Sequence, residues 1–404
     1  MRKFNVFKMH PVTMKPVSVI IVAHDRKEFI MDAVRSVLNQ SISKNLVDIL
    51  VVKKFKDNVI DSFLLKEGIK NIYVQENNLG AKVAIGIQNC EGKIVTFLED
   101  DDIFELNKIN FVLEAFKNKG LCYYHNQYNL IDSASSSFTE NVETNKGKTI
   151  FFNRDVRNIN LIRKAVKIGG FFNLSCISIR KSTILKYVDI LSKMHVAVDN
   201  FMFYLALDSG GEMLIDSKIL TGYRIHNSND SYFDRTKGMP DLIERKSEFL
   251  KSDILGFELI EKCIKNDSLR NYVRNKICVP VVAISILSTA NDSSFNAPTF
   301  RQILISLVNL RSIQFTLLTL TYILTRPFPE LGKHLYFIRE KTKVNDLIKI
   351  NQLSIHNTMK NKFFLVPAFL AFYFPIVFSA YSIYIGNADF ISRHRHKTKI
   401  TKGN

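Results

Sequence analysis

Four consecutive acids, Glu99, Asp100, Asp101 and Asp102, follow directly on the apolar run at residues 95–98. A buried strand that delivers carboxylates from its carboxyl end puts hard oxygen ligands at the crevice where open α/β sheets take their ligands. Left to themselves the four charges would repel at a few ångströms, so a cation among them is favourable. Oxygen ligands suit magnesium or manganese, ions that bridge a protein to a substrate diphosphate. A plainer reading also fits: an acidic loop whose carboxylates complement the dipole of a helix starting near Leu106.

The elements that would carry these acids can be read from periodicity. Residues 17–23 (VSVIIVA) form a β-branched run of buried-strand type, followed by a polar turn at 24–27. Phe29, Ala33, Val34, Val37 and Leu38 then recur at helical spacing. Residues 46–52 predict a second strand, 71–74 a short third, 79–90 a helix and 93–98 the strand that ends in the acids. Strands alternating with helices predict a largely parallel sheet with right-handed crossovers. Residues 132–148, rich in Ser, Thr and Asn, read as an exposed insertion or mobile loop. Strand character returns at 172–179 and 214–225, helix at 198–207, and beyond Asp234 the pattern is helical.

Charge separates the two parts of the 404-residue chain, whose formal net charge is +18. Residues 1–234 hold about 31 basic and 26 acidic side chains, and residues 235–404 about 25 and 12. A basic, apolar C-terminal part predicts contact with an anionic membrane surface. Zinc-finger spacing, RNP-like aromatic motifs and an Arg-rich tail are all missing, so no nucleic-acid partner is expected. The five scattered cysteines, Cys90, Cys122, Cys176, Cys263 and Cys278, never form Cys-x-x-Cys and read as reduced thiols. The first residues lack an apolar stretch of signal length, so the first domain is expected in the cytosol.

Three apolar stretches punctuate the second part. Residues 277–291 are short for a bilayer, and 302–325 carry Arg311 near the middle, which is costly at bilayer depth. Residues 363–388 hold no charge and exceed the roughly 20 residues a spanning helix needs. They are the transmembrane candidate, with Pro367 and Pro375 able to kink them. A buried soluble helix and a monotopic helix in the interface are the alternatives. Basic residues flank every stretch, so the positive-inside rule selects no orientation.

The segments SVIIVAHDRKEFIMDAVRSVLNQS and GIQNCEGKIVTFLEDDDIFELNKI resemble the family 2 inverting glycosyltransferases with the GT-A fold, over residues 16–232. The N-terminal segment is similar to the family's opening strand, polar loop and helix ending in Asn-Gln. The segment around the four acids is similar to the one that carries the family's Asp-x-Asp metal motif. The resemblance implies a Rossmann-like α/β domain at 16–234, with a mostly parallel sheet and helices on both faces. An N-terminal extension (1–15) precedes it and a helical C-terminal part (235–404) follows. It implies Asp101 as direct ligand of a magnesium or manganese ion, Glu99 near the ribose or sugar, and Asp102 as a further acid that orders the site. Asp100 joins them on the donor side. Glu at the first motif position departs from the family by one methylene.

Two further stretches carry the resemblance. VAVDNFMFYLAL (196–207) is similar to the helix led by the family's catalytic base, which maps to Asp199; an Asp ahead of an apolar helix also serves as an N-cap. GYRIHNSND (222–230) resembles the closing strand, which implies His226 as a metal ligand and Arg224 facing phosphate. A histidine after a strand is also an ordinary loop residue. Asp25 and Arg26 stand where a polar pair lines the donor pocket, and Asp25 is a candidate contact to the base. Many relatives carry Asp-Asp after the second strand, where this chain has Lys53 and Lys54, read as phosphate neutralisation or a solvated strand end. Where relatives carry Arg-Asn before the glycine matching Gly86, this chain has Val83 and Ala84, with Lys82 as the substitute.

The implied chemistry is inverting transfer of a sugar from a nucleotide-diphosphate donor to an acceptor hydroxyl. The acceptor would be a glycan or polyprenyl-linked carrier at the cytoplasmic face of the cell membrane, and residues 132–148 would be a lid. Gly169 and Gly170 are either a plain turn or a close approach to the acceptor. Two rivals remain: a sugar nucleotidyltransferase, whose Gly-rich phosphate loop is missing from 17–28, and a catalytically degenerate membrane scaffold, suggested by Lys53, Lys54 and Val83.

Overall fold

The computed structural model describes residues 15–137, 149–153, 159–226, 239–288 and 297–340, which all fall in one compact unit, Met1–Gln352. Residues 1–14, positions 138–148 of the proposed lid at 132–148, the boundary at 234/235 and the transmembrane candidate at 363–388 lie outside the described residues.

Among the described residues nine strands make one sheet: β1 (Val17–Ala23), β2 (Val47–Lys53), β3 (Lys70–Tyr73), β4 (Ile94–Glu99), β5 (Ile103–Phe104), β6 (Leu121–Ile131), β7 (Ile150–Phe152), β8 (Ile177–Arg180) and β9 (Glu212–Arg224). Their order is β3-β2-β1-β4-β8-β6-β9-β5, with β7 beside β9. The first four strands are mutually parallel; β8 runs against β4 and β6, and β9 runs parallel to β6. β6 and β9 therefore share the direction of the first four, and only β5, β7 and β8 oppose it. The carboxyl ends of β1, β2, β4 and β9 and the start of β8 consequently meet at one edge of the sheet. This is the expected α/β arrangement, a mostly parallel sheet among helices.

In the first half α1 (Ile30–Leu38), α2 (Asn58–Lys66), α3 (Leu79–Asn89) and α4 (Lys108–Ala115) alternate with the strands. Between β7 and β9 lie α5 (Ile159–Lys167), two single turns α6 (Lys181–Ile184) and α7 (Val188–Leu191), and α8 (Val198–Asp208). β1, β2 and β4 are buried on both sides, as a continuous β-branched run requires. Ile20, Val22, Val95 and Phe97 join α3 and α8 in one core; Val19, Ile21 and Leu98 join α1, α2 and α4 in the other. The first core continues without a break into the C-terminal helices α9 (Met239–Cys263), α10 (Asp267–Leu287), α11 (Phe300–Leu310) and α12 (Ile313–Thr325).

The apolar stretch 302–325 is not one helix. It breaks at Arg311, which adopts a left-handed conformation (φ 48°) and caps α11. Among the described residues no helix is long and apolar enough to cross a membrane. Stretch 277–291 supplies the end of α10, buried along Cys278, Val282, Ala283 and Ile286.

Candidate active site

At the carboxyl end of β4 the four acids do not behave alike. Asp100, Asp101 and Asp102 are buried, and Glu99 is half-buried. Asp100 accepts from the His24 amide (3.1 Å) and from Arg26 (2.8 Å). The other guanidinium nitrogen of Arg26 lies 2.6 Å from Asp101 Oδ2. Burial works against the Arg26 charge, but Asp100 and Asp101 outweigh it and raise its pKa. Burial pushes Asp100 up to about 6 although Arg26 opposes the shift. The four-carboxylate repulsion is thus relieved by a side chain from the loop after β1. The alternative role as a helix cap is not what these acids do: α4 starts at Lys108 behind Asn107, with no acid in its first turn.

Asp102 turns the other way. It accepts from the Arg224 amide (3.0 Å) and from Asn173 Nδ2 (2.9 Å), and burial followed by the Asp101 charge pushes it up to about 7. Asn173 is itself buried and held at φ 68°, a conformation Asn tolerates better than most side chains. Its Oδ1 accepts from the Ser175 amide (2.6 Å), and its own amide hydrogen-bonds Asp199. Asn173 therefore ties Asp102 at one end of the site to Asp199 at the other. Nothing in the sequence singles it out; its signal is a lone Asn preceding a strand that starts at the site edge.

Asp199 sits in the first turn of α8 but is not its N-cap, a place taken by Ala197 in a left-handed conformation (φ 61°) without a side-chain cap bond. Its Oδ1 accepts from the Asn200 amide (2.7 Å). Burial pushes its carboxyl up to about 6 despite these bonds. Glu99, raised mainly by burial, feels the charges of both Asp101 and Asp199 and so stands between the two ends. The segment before α8 is held by α3: the Gly80 amide donates to Met194 O (2.9 Å), and a Cβ at Gly80 would lie 2.1 Å from Leu191 O.

The loop after β1 gathers the basic groups. Lys82 Nζ lies 2.8 Å from His24 Nδ1, and its burial lowers its pKa to about 8. Asp25 is exposed, 3.5 Å from His24 and 3.9 Å from Lys54. Lys53 corrects both readings offered for it. It is 1% exposed, pairs with Asp61 of α2 (2.7 Å) and donates to Phe55 O (2.6 Å), so it is neither a solvated strand end nor turned toward a phosphate. Val83 and Ala84 are core residues.

Arg224 also departs from expectation. Fully buried, its guanidinium donates to the carbonyls of Asp101 (2.6 Å), Asp132 (2.9 Å) and Ser133 (3.0 Å) and to Ser135 Oγ (2.9 Å). Rather than facing a phosphate, it clamps the turn after β6 onto the acidic loop. His226 is the converse: it is buried against Phe29, with Nε2 3.0 Å from Asp101 Oδ2. Gly169 (φ 74°) ends α5 in a turn, and Gly170 packs on Ile215, where a Cβ would clash.

Two charged residues of the C-terminal helices carry no motif in the sequence. Burial, and after it the Asp199 charge, pushes Asp253 of α9 up to about 6. Burial lowers the pKa of Lys276 of α10, which Asp253 partly offsets. Both keep part of their surface open, and neither makes a hydrogen bond or close ion pair. Close by, Gly256 of α9 packs on Val196 and Ala197, just ahead of Asp199.

Among the described residues no three His, Cys, Asp or Glu side chains form a ready metal cage. The pair Asp101 Oδ2 and His226 Nε2 nonetheless fits an ion of the magnesium type, which takes one or two protein ligands and completes its shell from phosphate and water. Arg26 would have to yield its place on Asp101.

Residues 18–174 match the family model described as Glycosyl transferase family 2. The uncharacterized glycosyltransferase RP339 of Rickettsia prowazekii is 32% identical over 126 residues, 30% of this chain and 39% of that protein. Glycosyltransferase GlyG of Streptococcus pneumoniae is 25% identical over 127 residues, 30% of this chain and 42% of that one. The chain spans only 20% of the uncharacterized glycosyltransferase RC0461 of Rickettsia conorii. Among solved structures, S. aureus TarS 1–349 superposes with a TM-score of 0.47 at 12% identity, covering 83% of this chain and 90% of that one. The stretch similar to glycosyl transferase family 2 thus takes in the acidic strand end and Asn173, while Asp199 and His226 lie beyond it.

Proposed function

We propose that the protein is a glycosyltransferase that moves a sugar, with inversion, from a nucleotide-diphosphate donor to an acceptor hydroxyl. The observation that carries this reading is Asn173, which joins the donor-side acid Asp102 to Asp199. Asp199 accepts the proton of the acceptor hydroxyl as that oxygen attacks the anomeric carbon. The bond from that carbon to the diphosphate breaks, and the nucleotide diphosphate leaves with the electron pair. Its negative charge develops beside Arg26 and Lys82, the cations of the loop after β1 and of α3. Asp101 and His226 would hold a divalent magnesium or manganese ion, which supplies Lewis-acid stabilisation of the leaving diphosphate. Glu99, between the two ends, faces the transferred sugar, and Asp25 is the contact to the base.

The acceptor approaches from α9 and α10, where Asp253 and Lys276 offer an acceptor and a donor to its hydroxyls. We further propose a lipid-linked or envelope-glycan acceptor at the cytoplasmic face of the membrane, supported by the basic excess beyond Asp234. A second reading has one observation in its favour: Arg26 already neutralises Asp100 and Asp101, so it could stabilise the leaving group without a metal.

The test is nucleotide release from a panel of nucleotide-diphosphate sugars, with and without manganese, alongside donor binding by thermal shift. Asp101→Asn should lose metal-dependent donor binding, and Asp199→Asn should keep binding and lose turnover. Turnover that survives EDTA and falls with Arg26→Met would support the metal-free reading. The absence of any donor binding would sink both.

A further inference from the structure

The break at Arg311 leaves two consecutive helices that each turn an apolar stripe outward. On α11 the stripe is Phe300 (67% exposed), Leu304 (46%) and Val308 (67%), spaced four apart, while Ile303 and Leu310 point into the core. On α12 it is Ile313 (57%), Leu320 (39%) and Leu324 (50%), while Phe315, Leu318 and Tyr322 are buried. Single exposed apolar residues need no explanation, but an ordered stripe repeated on neighbouring helices marks a contact surface.

Charge identifies what it contacts. Residues 300–325 contain no Asp or Glu. Arg301, Arg311 and Arg326, all exposed, stand at the start of α11, at the break and just past α12. A second copy of this chain meeting the face symmetrically would set this arginine rim against itself with no acid to pair it. An anionic lipid surface meets both features at once: the stripes enter the acyl boundary and the arginines take the phosphates. We infer that α11 and α12 form an interfacial docking face for anionic membrane, lying on the bilayer rather than crossing it. This deepens the membrane part of the function proposed above and is independent of its chemistry.

The chain has no tryptophan, so a single one reports locally. In the full-length protein, Val308→Trp should emit as a solvent-exposed indole in buffer. With phosphatidylglycerol-containing vesicles it should shift to the blue and be quenched by brominated lipid, and pure phosphatidylcholine should give a much weaker change. Arg301→Glu in that background should weaken vesicle binding by about fivefold or more. A reporter further along, Leu324→Trp, should behave alike, which guards against a local folding defect at one position. Emission already blue in buffer and indifferent to vesicles would mean that protein, a second copy or another part of this chain, covers the face, and would overturn the inference. So would vesicle flotation of the protein with both reporters unquenched, because attachment would then lie elsewhere in the chain. Donor binding measured on the same variants reads the proposed activity separately.

Discussion

The two ends of the site, proposed above as the donor end and the acceptor end, neutralise charge in opposite ways. At the end of β4 each aspartate has a partner within the fold: Arg26 for Asp100 and Asp101, His226 for Asp101, Asn173 and the Arg224 amide for Asp102. Toward Asp199, Asp253 of α9 and Lys276 of α10 offset each other's shifts only in part, and among the described residues neither makes a hydrogen bond or an ion pair within 4 Å. Unpaired charge in a partly desolvated place is costly, and it persists where a ligand or a reaction uses it. The contrast suggests a donor end preorganised before substrate arrives and an acceptor end that is completed by the acceptor.

The sharpest way to break that contrast is Asp199→Asn. If Asp199 is the base, turnover should fall by roughly 10²–10⁴-fold while the donor-induced thermal shift stays intact. A loss of donor binding instead would move Asp199 to the donor end. Next in size is Asn173→Gly, which keeps the left-handed backbone but removes both side-chain bonds. Leaving Asp102 short of a donor should lower kcat by about tenfold or more with little change in donor KM, because the link to Asp199 loosens. Equal losses with Asn173→Ala and Asn173→Gly would place the effect in the side chain rather than in backbone strain.

How much of the molecule is legible in its sequence follows the same division. β1 and the helix over 79–89 are where periodicity predicts them, and β4 lies within one residue of its expected bounds. Buried parallel strands are long β-branched runs, and their acids stand in the next positions along the chain. α2, β5, β6 and β7 escape the pattern: β6 reads LCYYHNQYNLI, whose polar residues are buried only because β8 and β9 flank it. Lys53 defeats a reading by position because its partner Asp61 comes from α2, which periodicity does not reveal. Arg224 defeats one because its partners are backbone carbonyls, which no side-chain pattern shows. Asp253 carries no signal because only the packing of α9 on the segment ahead of α8 brings it near Asp199, and Lys276 none because it meets Asp253 from another helix. Short-range order writes itself into sequence; cross-chain satisfaction of charge does not.

A pH profile sharpens the comparison further. With the Asp199 carboxyl pushed up to about 6, turnover should fall on the acid side with a midpoint near that value, because the base must be ionised. The Asp253 charge contributes to that elevation only if the two carboxylates feel each other. Asp253→Asn should therefore move the acid limb to lower pH, whereas a purely structural role for Asp253 would leave the limb in place.

The smallest effect is on stability, and its sign is counterintuitive. Asp253 rises from an ordinary 3.8 to about 6 in the folded protein, so the folded state holds its proton more tightly than the unfolded chain does. Below pH 4 the group is protonated in both states and contributes nothing. Between pH 4 and 6 the unfolded chain ionises first, and stability declines with rising pH. Above pH 6 the full cost is present, on the order of 3 kcal/mol. Asp253→Asn removes that cost, so it should raise Tm at pH 7–8 and leave it unchanged near pH 4. At the donor end Asp100 is likewise pushed up to about 6 with Arg26 opposing the shift, so Asp100→Asn removes a similar cost but also leaves Arg26 short of a partner, and its net gain should be smaller. A gain at pH 7 for Asp100→Asn equal to that of Asp253→Asn would mean that the donor-end partners do not offset burial, and the contrast between the two ends would fail.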